Sequence, residues 1–459
     1  MDLRKKLSKN VIKICEVIAN NGGESLLVGG AVRDLLLKRK IKDSDLEVRN
    51  LNYHQLKKCL SKLGTINEVG KSFKVLKIKL NNEEIDIALP RKEVKKGQGH
   101  KGFEIIADPT LDYKAAAKRR DFTINSIGYD PLKDKIYDPY GGIKDLENKI
   151  LKHISSAFSE DPLRVYRAMQ FAARFNFKIS LETIRQCQEC NLEELPKERI
   201  FEEIKKLCLQ AKKPSIGYNY WQELGILKYF PELEALKYCP QDPEWHPEGD
   251  VWDHTMMVVD EAATQNYKDD NQKLIIALAA LCHDFGKPLT TAKINGRWRS
   301  PGHEQAGVKP SISFLRRFWD EKKQIDAIAN LVDCHLRPAL LYNAQEKDKV
   351  SNAAIRRLSL KVPIENLLLL ARADHFGRKT PDALAREFPA GDWLKKRADQ
   401  LDVIHAQPKA LILGRDLIAL GYKPGPALGK ILNRLFQAQL DDKFKSKEEG
   451  LNWLNKSEK

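Results

Sequence analysis

The sequence predicts an α+β fold, with strands in about the first third of the chain and helices in the remainder. An apolar run at 26–28, ended by Gly29–Gly30, predicts a buried strand that leads into a turn. At 85–89 apolar residues alternate with polar ones, which is typical of a half-buried strand. From residue 165 onward apolar residues recur every three or four positions, which is the spacing of one helix face.

The composition is that of a globular protein with a basic surface. Of the 459 residues, 42% are hydrophobic and 31% are charged, and Lys and Arg outnumber Asp and Glu by 79 to 63. This excess favours a polyanionic partner. The longest apolar run, 274–282, has less than half of the ~20 residues that a membrane helix needs, and the basic first ten residues lack the apolar segment of a signal peptide. Eight scattered cysteines fit a reducing compartment, so we expect a cytoplasmic protein without a membrane partner.

Residues 26–48 combine a phosphate-binding turn with two candidate metal ligands. Apolar residues follow Gly29–Gly30 at helical spacing, so the glycines lie where a strand becomes a helix. Backbone N–H groups in such a turn approach a phosphate closely, and the helix N-terminus favours its charge. Asp43 and Asp45 are two residues apart and lie on one face of an extended segment. Two carboxylates suit Mg²⁺, which takes further ligands from substrate phosphates, so this stretch predicts a nucleoside triphosphate site.

GGAVRD at 29–34 followed by KDSDLEV at 42–48 resembles the nucleotidyltransferase head of the polymerase-β-like superfamily. More narrowly, it is similar to the bacterial class II tRNA CCA-adding enzymes and poly(A) polymerases. The fold that this resemblance implies is a small mixed sheet with helices, followed by an all-α neck, an HD domain and a tail. We expect the head at 1–150, the neck at 151–215, the HD domain at 216–395 and the tail at 396–459.

KRRDFTINSIGYD at 118–130 matches the family's next motif, with Ser126 in place of an alanine. The resemblance implies that Asp121 contacts the ribose hydroxyls and that Arg119 or Arg120 contacts the triphosphate, whose oxygens match a guanidinium fork. Asn125 is also expected to reach phosphate.

Two features between these motifs are less specific. Asp86 faces away from the apolar side of its strand. It is either the third carboxylate that the superfamily often places on a neighbouring strand or an ordinary solvent-facing residue. The segment 95–104 is rich in Lys and Gly and predicts a mobile loop, which in the family helps the site to switch from C to A addition.

SEDPLRVYRAMQFAARF at 159–175 predicts a helix with Ser159 as its N-cap. Asp161 and Arg164 share a helix face, as either a structural ion pair or a base-reading pair. A carboxylate that accepts from an exocyclic amino group and a guanidinium that donates to the adjacent ring nitrogen admit adenine and cytosine but reject guanine and uracil. EDxxR is the family's base-reading motif, here Glu160, Asp161 and Arg164.

The resemblance thus implies one nucleotide-binding set, spread over the head and the neck. It comprises Gly29, Gly30, Arg33, Arg119, Arg120, Asp121, Asn125, Glu160, Asp161, Arg164 and Arg167. Arg199 and Glu203, four residues apart in a later neck motif, are expected to pair with each other and support the helices.

Histidines and aspartates recur between residues 254 and 374 with Gly, Lys and apolar helices between them. Imidazole suits Ni, Fe, Zn or Mn, and carboxylate adds hard ligand character. The set resembles an HD-type metal phosphohydrolase, which implies action on 2′,3′-cyclic or 2′-phosphates; a purely structural HD fold is the alternative. By resemblance the metal ligands are His254, His283, Asp284 and Asp374, with His303 and His335 as auxiliary ligands.

We therefore expect an enzyme that builds or repairs the 3′-CCA end of tRNA from CTP and ATP, with pyrophosphate release. The tail is similar to the extension of many HD-bearing CCA enzymes, and its basic residues either meet tRNA phosphate or lie on a solvated face: Arg415, Lys423, Lys430 and Arg434. Alternatives are an enzyme that adds only the final A, a poly(A) polymerase, and a phosphohydrolase whose inactive head grips RNA. VGKSFKVLKI at 69–78 lacks the Arg-rich strand typical of poly(A) polymerases, which favours CCA addition.

Overall fold

The computed structural model describes residues 3–41, 43–69, 75–95, 103–345 and 350–457. The loop predicted at 95–104 therefore lies mostly outside the described residues. The chain folds into two compact units, one comprising residues 1–203 with 219–226 and the other 204–218 with 227–459. The ranges of the four domains expected from the sequence stay predictions.

The first unit contains eleven strands among its described residues. They are β1 (Glu24–Val28), β2 (Ser44–Arg49), β3 (Thr65–Val69), β4 (Val75–Leu80), β5 (Glu83–Ala88), β6 (Arg91–Lys95), β7 (Phe103–Ala107), β8 (Gly128–Asp130), β9 (Lys135–Tyr137), β10 (Ile150–Leu151) and β11 (Lys178–Ile179). Seven of them form one sheet in the order β3-β4-β5-β2-β1-β8-β9. Only β2 and β5 run parallel in this sheet, which confirms the predicted small mixed sheet.

Helices cover this sheet and extend beyond it. They are α1 (Lys9–Asn20), α2 (Gly30–Leu36), α3 (Tyr53–Leu60), α4 (Tyr113–Ala117), α5 (Gly142–Glu147), α6 (Leu163–Phe175) and α7 (Leu181–Gln188), while α8 (Lys197–Gln210) and α9 (Ser215–Glu223) contain residues of both units. Short 3₁₀ helices occur at Arg4–Lys6, Thr123–Asn125, Ser156–Glu160 and Leu227–Tyr229. The apolar face of α1 is buried in the same core as β1 and β2, and Ser8 caps this helix by accepting the Val11 N–H.

Helix α6 begins later than the sequence predicts. Ser159 lies in the preceding 3₁₀ helix, where its hydroxyl donates to the Ser156 carbonyl, and Pro162 occupies the N-cap position of α6. The predicted Ser159 cap is therefore wrong. The Asp161 carboxylate accepts the Leu163 N–H at 3.3 Å and so takes over one of the amide groups that the first helical turn leaves unpaired.

The second unit is helical. Its helices are α10 (Pro231–Glu234), α11 (Val251–Thr264), α12 (Asp270–Cys282), α13 (Lys287–Thr290), α14 (His303–Ala306), α15 (Val308–Arg316), α16 (Lys322–Cys334), α17 (Arg337–Gln345), α18 (Asn352–Lys361), α19 (Ile364–Phe376), α20 (Pro381–Leu384), α21 (Pro389–Gln400), α22 (Gly414–Ile418), α23 (Pro426–Leu440) and α24 (Lys447–Ser457). Helices α11, α12, α16 and α19 pack together around a mostly apolar interior. Among the described helices, none combines the length and apolar character that a membrane span requires.

One hairpin, which was not predicted from the sequence, interrupts this helical unit. Strands β12 (Ala292–Ile294) and β13 (Arg297–Arg299) pair antiparallel across Asn295 and Gly296. Both turn residues have positive φ, 50° and 79°, as the tight two-residue hairpin turn requires and as Asn-Gly favours. Trp298, which lines a cavity of this unit described below, lies on β13 of the hairpin.

The C-terminal helices α22 to α24 share a small core of their own, in which Leu417, Leu435 and Leu454 are buried. Polar contacts tie α23 to α18: Arg356 donates to the Leu440 carbonyl, and Arg357 to Asp441. All four basic residues singled out in the tail are exposed, and the last of them, Arg434, donates to Ser457 and lies over the Trp453 ring.

Candidate active sites

A cavity of about 410 Å³ in the first unit collects most of the predicted nucleotide-binding residues. Its lining consists of Gly29, Gly30, Arg33, Asp45, Arg120, Asp121, Asn125, Asp161, Arg164, Arg167, Phe171 and Arg174. Two members of the predicted nucleotide-binding set, Arg119 and Glu160, lie outside this lining, and so does the predicted metal ligand Asp43. The cavity therefore unites residues that are far apart in the sequence and come from the glycine turn, β2, the 118–130 motif and α6.

Asp45 lies on β2 directly opposite Asp86 of the parallel strand β5, and Asp43 immediately precedes β2. Asp45 and Asp43 are both exposed. Surrounding protein atoms and the adjacent charge of Asp86 raise the pKa of Asp45, with a smaller contribution from Asp43. Asp86 also lies 3.4 Å from Lys77 of β4. The negative charge that gathers around Asp45 and raises its pKa favours a cation beside this carboxylate.

Gly29 separates Asp45 from Arg120 and has to be a glycine. Its φ of 70° and ψ of −137° lie where side chains are strained, and a Cβ atom would come within 3.2 Å of the Arg120 Nη1 and 3.8 Å of the Asp45 Oδ2. The Arg120 guanidinium lies 3.6 Å from Glu47, which is buried on the same face of β2 as Asp45. A cation is thus held beside the glycine turn, as phosphate binding requires.

A chain of polar contacts forms the buried floor of the cavity. Arg33 donates to Asp34 at 2.9 Å and to the Asn125 Oδ1 at 2.6 Å, and Asn125 donates to Asp121 at 2.8 Å. Arg167 contacts the same aspartate at 2.7 Å and 2.8 Å. Burial alone would raise the pKa of Asp121, but Arg167 and the hydrogen bonds from its neighbours lower it. Asp121 is therefore held as a carboxylate that orients Asn125 and Arg167.

Arg164 and Asp161 are both fixed at the cavity wall, each by a different set of partners. Arg164 donates to the Ala157 carbonyl at 2.8 Å and to the Arg119 carbonyl at 2.6 Å. Asp161 accepts from Arg199 at 3.1 Å and 3.2 Å. The sequence predicted a pair between Arg199 and Glu203 and gave neither residue a contact near the cavity. In the structure Arg199 contacts Asp161, and Glu203 lies 3.6 Å from Arg167.

Three residues around this cavity were not predicted from the sequence, and a fourth, Arg199, was expected to pair with Glu203 and not with Asp161. Phe171 and Arg174 line it from the later turns of α6, while Glu47 and Arg199 hold lining residues in place. Phe171 and Arg174 were detectable, because they follow Arg164 and Arg167 at intervals of three and four on one face of the helix. Glu47 and Arg199 gave no such signal, because their partners come from other elements.

The second unit contains a separate site where several helices end. His254 lies in the first turn of α11, His283 and Asp284 follow α12, His335 follows α16, and Asp374 lies in the last turn of α19. His303 begins α14. All six side chains are buried. The helix packing thus brings together residues that are 120 positions apart in the sequence.

The metal-capable groups among the described residues all lie in this unit. Ligand atoms within 4.8 Å of one another form three groups: His254, His283 and Asp374; Asp284, His303 and His335; and His246, Glu248 and His254. In the third group the Glu248 Oε1 lies 2.8 Å from the His254 Nδ1 and 2.9 Å from the His246 Nδ1. Glu248 thereby directs the other nitrogen of His254, Nε2, toward Asp374 at 3.1 Å, an arrangement common behind metal-binding histidines.

Two cations flank the cluster. Lys287 Nζ lies 2.7 Å from the Asp284 Oδ2, and Arg378 lies 3.1 Å from the Asp374 Oδ1. Burial opposes ionisation of both aspartates, but these cations and the neighbouring histidines lower the pKa of each carboxyl well below its usual range. Both aspartates are therefore ready to bind a cation as carboxylates. Apart from the ion pair with Lys287, no donor among the described residues forms a hydrogen bond of good geometry to either Asp284 oxygen, so both oxygens could still accept from a metal ion.

A cavity of about 390 Å³ opens above this cluster. Asp284, His303, His335 and Asp374 line it, together with the cationic groups of Lys287, Arg299 and Arg378. Two tryptophans, Trp245 and Trp298, also line it and are 50% and 37% exposed. The cavity thus combines carboxylates and imidazoles with cationic groups that could pair with phosphate and with exposed aromatic rings on which a base could stack.

Family models match three successive parts of the chain. The Poly A polymerase head domain matches residues 25–152, the probable RNA and SrmB-binding site of polymerase A matches 176–237, and the HD domain matches 251–379. With the geometry above, these matches define the class of the protein: a nucleotidyltransferase head with an RNA-binding region and an HD domain.

Relatives extend the assignment to nearly the whole chain. A multifunctional CCA protein of Xanthomonas campestris pv. campestris is 35% identical over 417 residues, which cover 88% of this chain and 95% of the relative. Another, from Pasteurella multocida, is 41% identical over 300 residues, 64% of this chain and 69% of the relative. The chain belongs to the multifunctional CCA protein family, which confirms the resemblance seen in the sequence.

Solved structures support the fold. The Bacillus stearothermophilus CCA-adding enzyme in complex with CTP has a TM-score of 0.66 at 19% identity and matches 98% of this chain and 96% of its own. The Thermotoga maritima CCA-adding enzyme complexed with tRNA has a TM-score of 0.60 at 20% identity, and the match covers 100% of this chain and 98% of that enzyme. At these identities the likeness concerns the fold alone.

Proposed function

We propose that the first unit adds C and A to the 3′ end of tRNA from CTP and ATP, with Mg²⁺ held by Asp43 and Asp45. One observation carries the proposal: a single cavity has Asp45 and the glycine turn in its wall together with Asp161 and Arg164. The proposed metal ligand, the turn proposed to bind phosphate and the two proposed base-reading residues thus line one cavity of a size that suits a nucleotide. The names of the relatives, and the CTP and tRNA complexes of the structural neighbours, support the same activity.

Asp43 and Asp45 offer hard oxygen ligands at an exposed position that triphosphate and the tRNA 3′ end can both reach. Mg²⁺ held by these carboxylates would supply Lewis-acid activation of the 3′-hydroxyl and charge stabilisation while pyrophosphate leaves in line. Arg120, held by Glu47, lies beside Gly29 to bind the triphosphate, and Asn125 lines the same cavity. Asp86 is close enough to influence Asp45 and is proposed as a supporting carboxylate.

Base selection is proposed to rest on Asp161 and Arg164. The guanidinium of Arg164 is fixed by two backbone carbonyls and the carboxylate of Asp161 by Arg199, so neither needs to be ordered when the nucleotide binds. A fixed acceptor beside a fixed donor matches the amino group and ring nitrogen of cytosine and adenine. Guanine and uracil would leave both groups unpaired. We therefore propose that selection needs no nucleic-acid template.

For the second unit we propose phosphodiesterase or phosphatase activity on 2′,3′-cyclic or 2′-phosphates. His254, His283, Asp284 and Asp374 are the proposed ligands of a divalent Ni, Fe, Mn or Zn ion, which when bound would supply an activated water and polarise the phosphoryl oxygen. Lys287 and Arg378 would bind the phosphate. The convergence of six buried ligand groups favours this activity over a purely structural HD fold.

The exposed tail cations Arg415, Lys423 and Lys430 are proposed to contact tRNA phosphate, so that the RNA body is recognised by shape and backbone. A tRNA substrate and eight buried cysteines without disulfides further suggest work in the cytoplasm.

The test incubates tRNA ending at position 73 with labelled CTP, ATP or both. We expect two C residues from CTP alone and CCA from the mixture. Poly(A) tails, a single A added only to tRNA ending in CC, or no incorporation would each overturn the proposal in favour of one alternative. In the same assay Asp284→Ala is expected to abolish phosphohydrolase activity while sparing nucleotide addition, because the residue lies in the second unit. Loss of both activities would contradict two independent sites.

A further inference from the structure

We propose that Trp245 and Trp298 form a base-binding subsite of the HD cavity, on which the nucleobase of a substrate stacks while its phosphate faces the buried histidine–aspartate cluster. Both tryptophans line the cavity of about 390 Å³ together with Asp284 and Asp374. The inference rests on the phosphohydrolase activity proposed for the second unit. It extends that activity by naming the residues that distinguish a nucleotide from a phosphate ester without a base.

The two tryptophans are unusually open to solvent. Of the seven tryptophans in the chain, only these two are exposed, whereas three are buried and two are half-buried. Burial of a large aromatic ring is favourable, and exposed apolar surface that lines a cavity is typical of a binding site. Two uncovered rings at one cavity therefore indicate a ligand with a flat apolar group.

Arg297 fixes the two segments that carry these rings to each other. It precedes Trp298 on β13 and donates to both carboxylate oxygens of Asp242, three residues before Trp245, at 2.6 Å and 3.0 Å. It also contacts Glu244, the residue next to Trp245. A bidentate pair of guanidinium and carboxylate fixes orientation as well as distance. The hairpin and the turn that carries Trp245 are thus held together before a ligand binds, which lowers the cost of binding.

The same two segments are tied to the proposed metal site. Ser300 directly follows β13, and its carbonyl accepts from the His303 Nδ1 at 2.8 Å. On the other segment, Gln241 accepts from the Lys287 Nζ at 2.6 Å, and this Nζ lies 2.7 Å from the Asp284 carboxylate. A base stacked on the tryptophans is therefore held at a fixed position relative to the groups proposed to bind metal and phosphate.

The lining matches both ends of a nucleotide. Lys287, Arg299 and Arg378 contribute cationic groups to the cavity, and such groups pair with phosphate. The tryptophans contribute flat rings, on which any base can stack because every base has a π-face. A phosphate ester without a base would use the first set of contacts and leave the second unused. The lining therefore favours a nucleoside phosphate over a simple phosphate ester.

The test compares two substrates of the full chain, adenosine 2′,3′-cyclic phosphate and methyl riboside 2′,3′-cyclic phosphate, which carries the same phosphate without a base. Trp298→Ala and, separately, Trp245→Ala should raise KM for the adenosine compound about 5-fold or more, because stacking on an aromatic ring is lost. KM for the methyl riboside should change far less. The control Tyr238→Ala removes an aromatic side chain that is 86% exposed and lies outside the cavity lining, and it should change neither KM.

Arg297 is tested as a positioning residue. Arg297→Ala should raise KM for the adenosine compound with little effect on kcat, because the groups proposed to bind metal and phosphate stay in place. Arg297→Lys keeps a cation beside Asp242 and should recover part of the loss. A role of Arg297 in stability alone predicts instead that both substrates are affected equally.

Binding of adenosine 2′-phosphate, measured by calorimetry, gives an answer that does not depend on turnover. We expect Trp298→Ala and Trp245→Ala to bind it about 5-fold more weakly or worse than the unmodified chain. Equal binding by all three proteins, or equal changes in KM for both substrates, would overturn the subsite and leave the phosphohydrolase proposal intact. Hydrolysis of neither substrate by the unmodified chain would overturn the proposed activity, and the binding measurement would still decide whether the tryptophans hold a base.

Discussion

Replacing Arg167 with methionine tests whether the floor of the first cavity depends on its buried ion pair. Arg167 contacts the Asp121 carboxylate at 2.7 Å, and Asp121 is 8% exposed. Methionine keeps most of the apolar part of the arginine side chain but leaves the buried Asp121 carboxylate without its cationic partner. The stranded charge destabilises the folded state, since burial is the largest effect on the pKa of Asp121 and only Arg167 and its neighbours offset it.

The expected loss is moderate. Removing one partner of a fully buried pair costs about 3–5 kcal/mol. The Arg167 side chain is 31% exposed, and Asn125 and the Phe122 N–H still donate to Asp121, so we expect about 2–3 kcal/mol. For a unit of this size the midpoint of thermal unfolding should fall by about 4–12 °C. The double variant Asp121→Asn/Arg167→Met should recover about 1–2 kcal/mol, because no charge is stranded.

The pH dependence has a definite sign. In the unmodified chain the pKa of Asp121 is below its ordinary value of 3.8, so the pair stabilises the fold above that value and loses its effect as the pH falls through the lowered pKa. In Arg167→Met the pKa of Asp121 rises relative to the unmodified chain, because the guanidinium that lowers it is gone. The stability difference between the two proteins should therefore be largest near pH 7 and shrink toward pH 4, where protonation removes the stranded charge.

Hydrogen exchange of β1 and β2 during urea unfolding reports the stability of this unit alone. The matched control is Arg185→Met at an exposed position of α7, for which we expect a change of less than about 0.5 kcal/mol. The prediction is refuted if Arg167→Met destabilises these strands no more than Arg185→Met does, or if its effect does not vary with pH.

Three further predictions concern the two sites. Asp161→Ala should reduce discrimination between ATP or CTP and GTP or UTP by about 1–3 kcal/mol, seen as a lower ratio of kcat/KM; unchanged ratios would exclude Asp161 as a base reader. Trp298→Ala should raise KM for 2′,3′-cyclic AMP by about 5-fold or more, since stacking of a base on an aromatic ring contributes about 1–3 kcal/mol. Hydrolysis of p-nitrophenyl phosphate, which has no base, should stay constant. An equal loss of activity on both substrates would contradict stacking. Glu248→Gln should weaken Ni²⁺ binding about 10–100-fold by calorimetry, with Glu248→Asp closer to the original affinity; full affinity in Glu248→Gln would exclude a role in orienting His254.

Much of the fold followed from local patterns in the sequence. The strand at 26–28, the alternation at 85–89 and the helical spacing after 165 all lie in elements of the predicted type. These patterns are set by neighbouring residues, because burial of one face depends on spacing along the chain. The predicted start of α6 was wrong because Ser159 and Asp161 are both residue types that cap helices. The 3₁₀ helix that contains Ser159 has no recognisable pattern in the sequence, so the sequence did not decide between them.

The candidate sites were predictable where a motif contributes several residues and obscure where partners come from distant elements. Gly29, Asp45, Asp121 and Asp161 each belong to a short motif, and the structure brings them to one cavity. Nothing in the sequence around Glu47 indicates that it holds Arg120. The facing Nε2 atoms of His303 and His335 arise from helix packing over 32 positions, which spacing alone does not reveal.

Nucleotide addition is proposed to depend above all on the ion held by Asp43 and Asp45. The most direct measurement compares labelled CTP and ATP incorporation into tRNA ending at position 73 by Asp45→Asn and by Glu84→Gln, a control at an exposed carboxylate two residues before Asp86 on β5. We predict no incorporation by Asp45→Asn and unchanged incorporation by Glu84→Gln, with equal thermal stability. Incorporation by Asp45→Asn at the rate of the unmodified chain would contradict the proposed role of this aspartate.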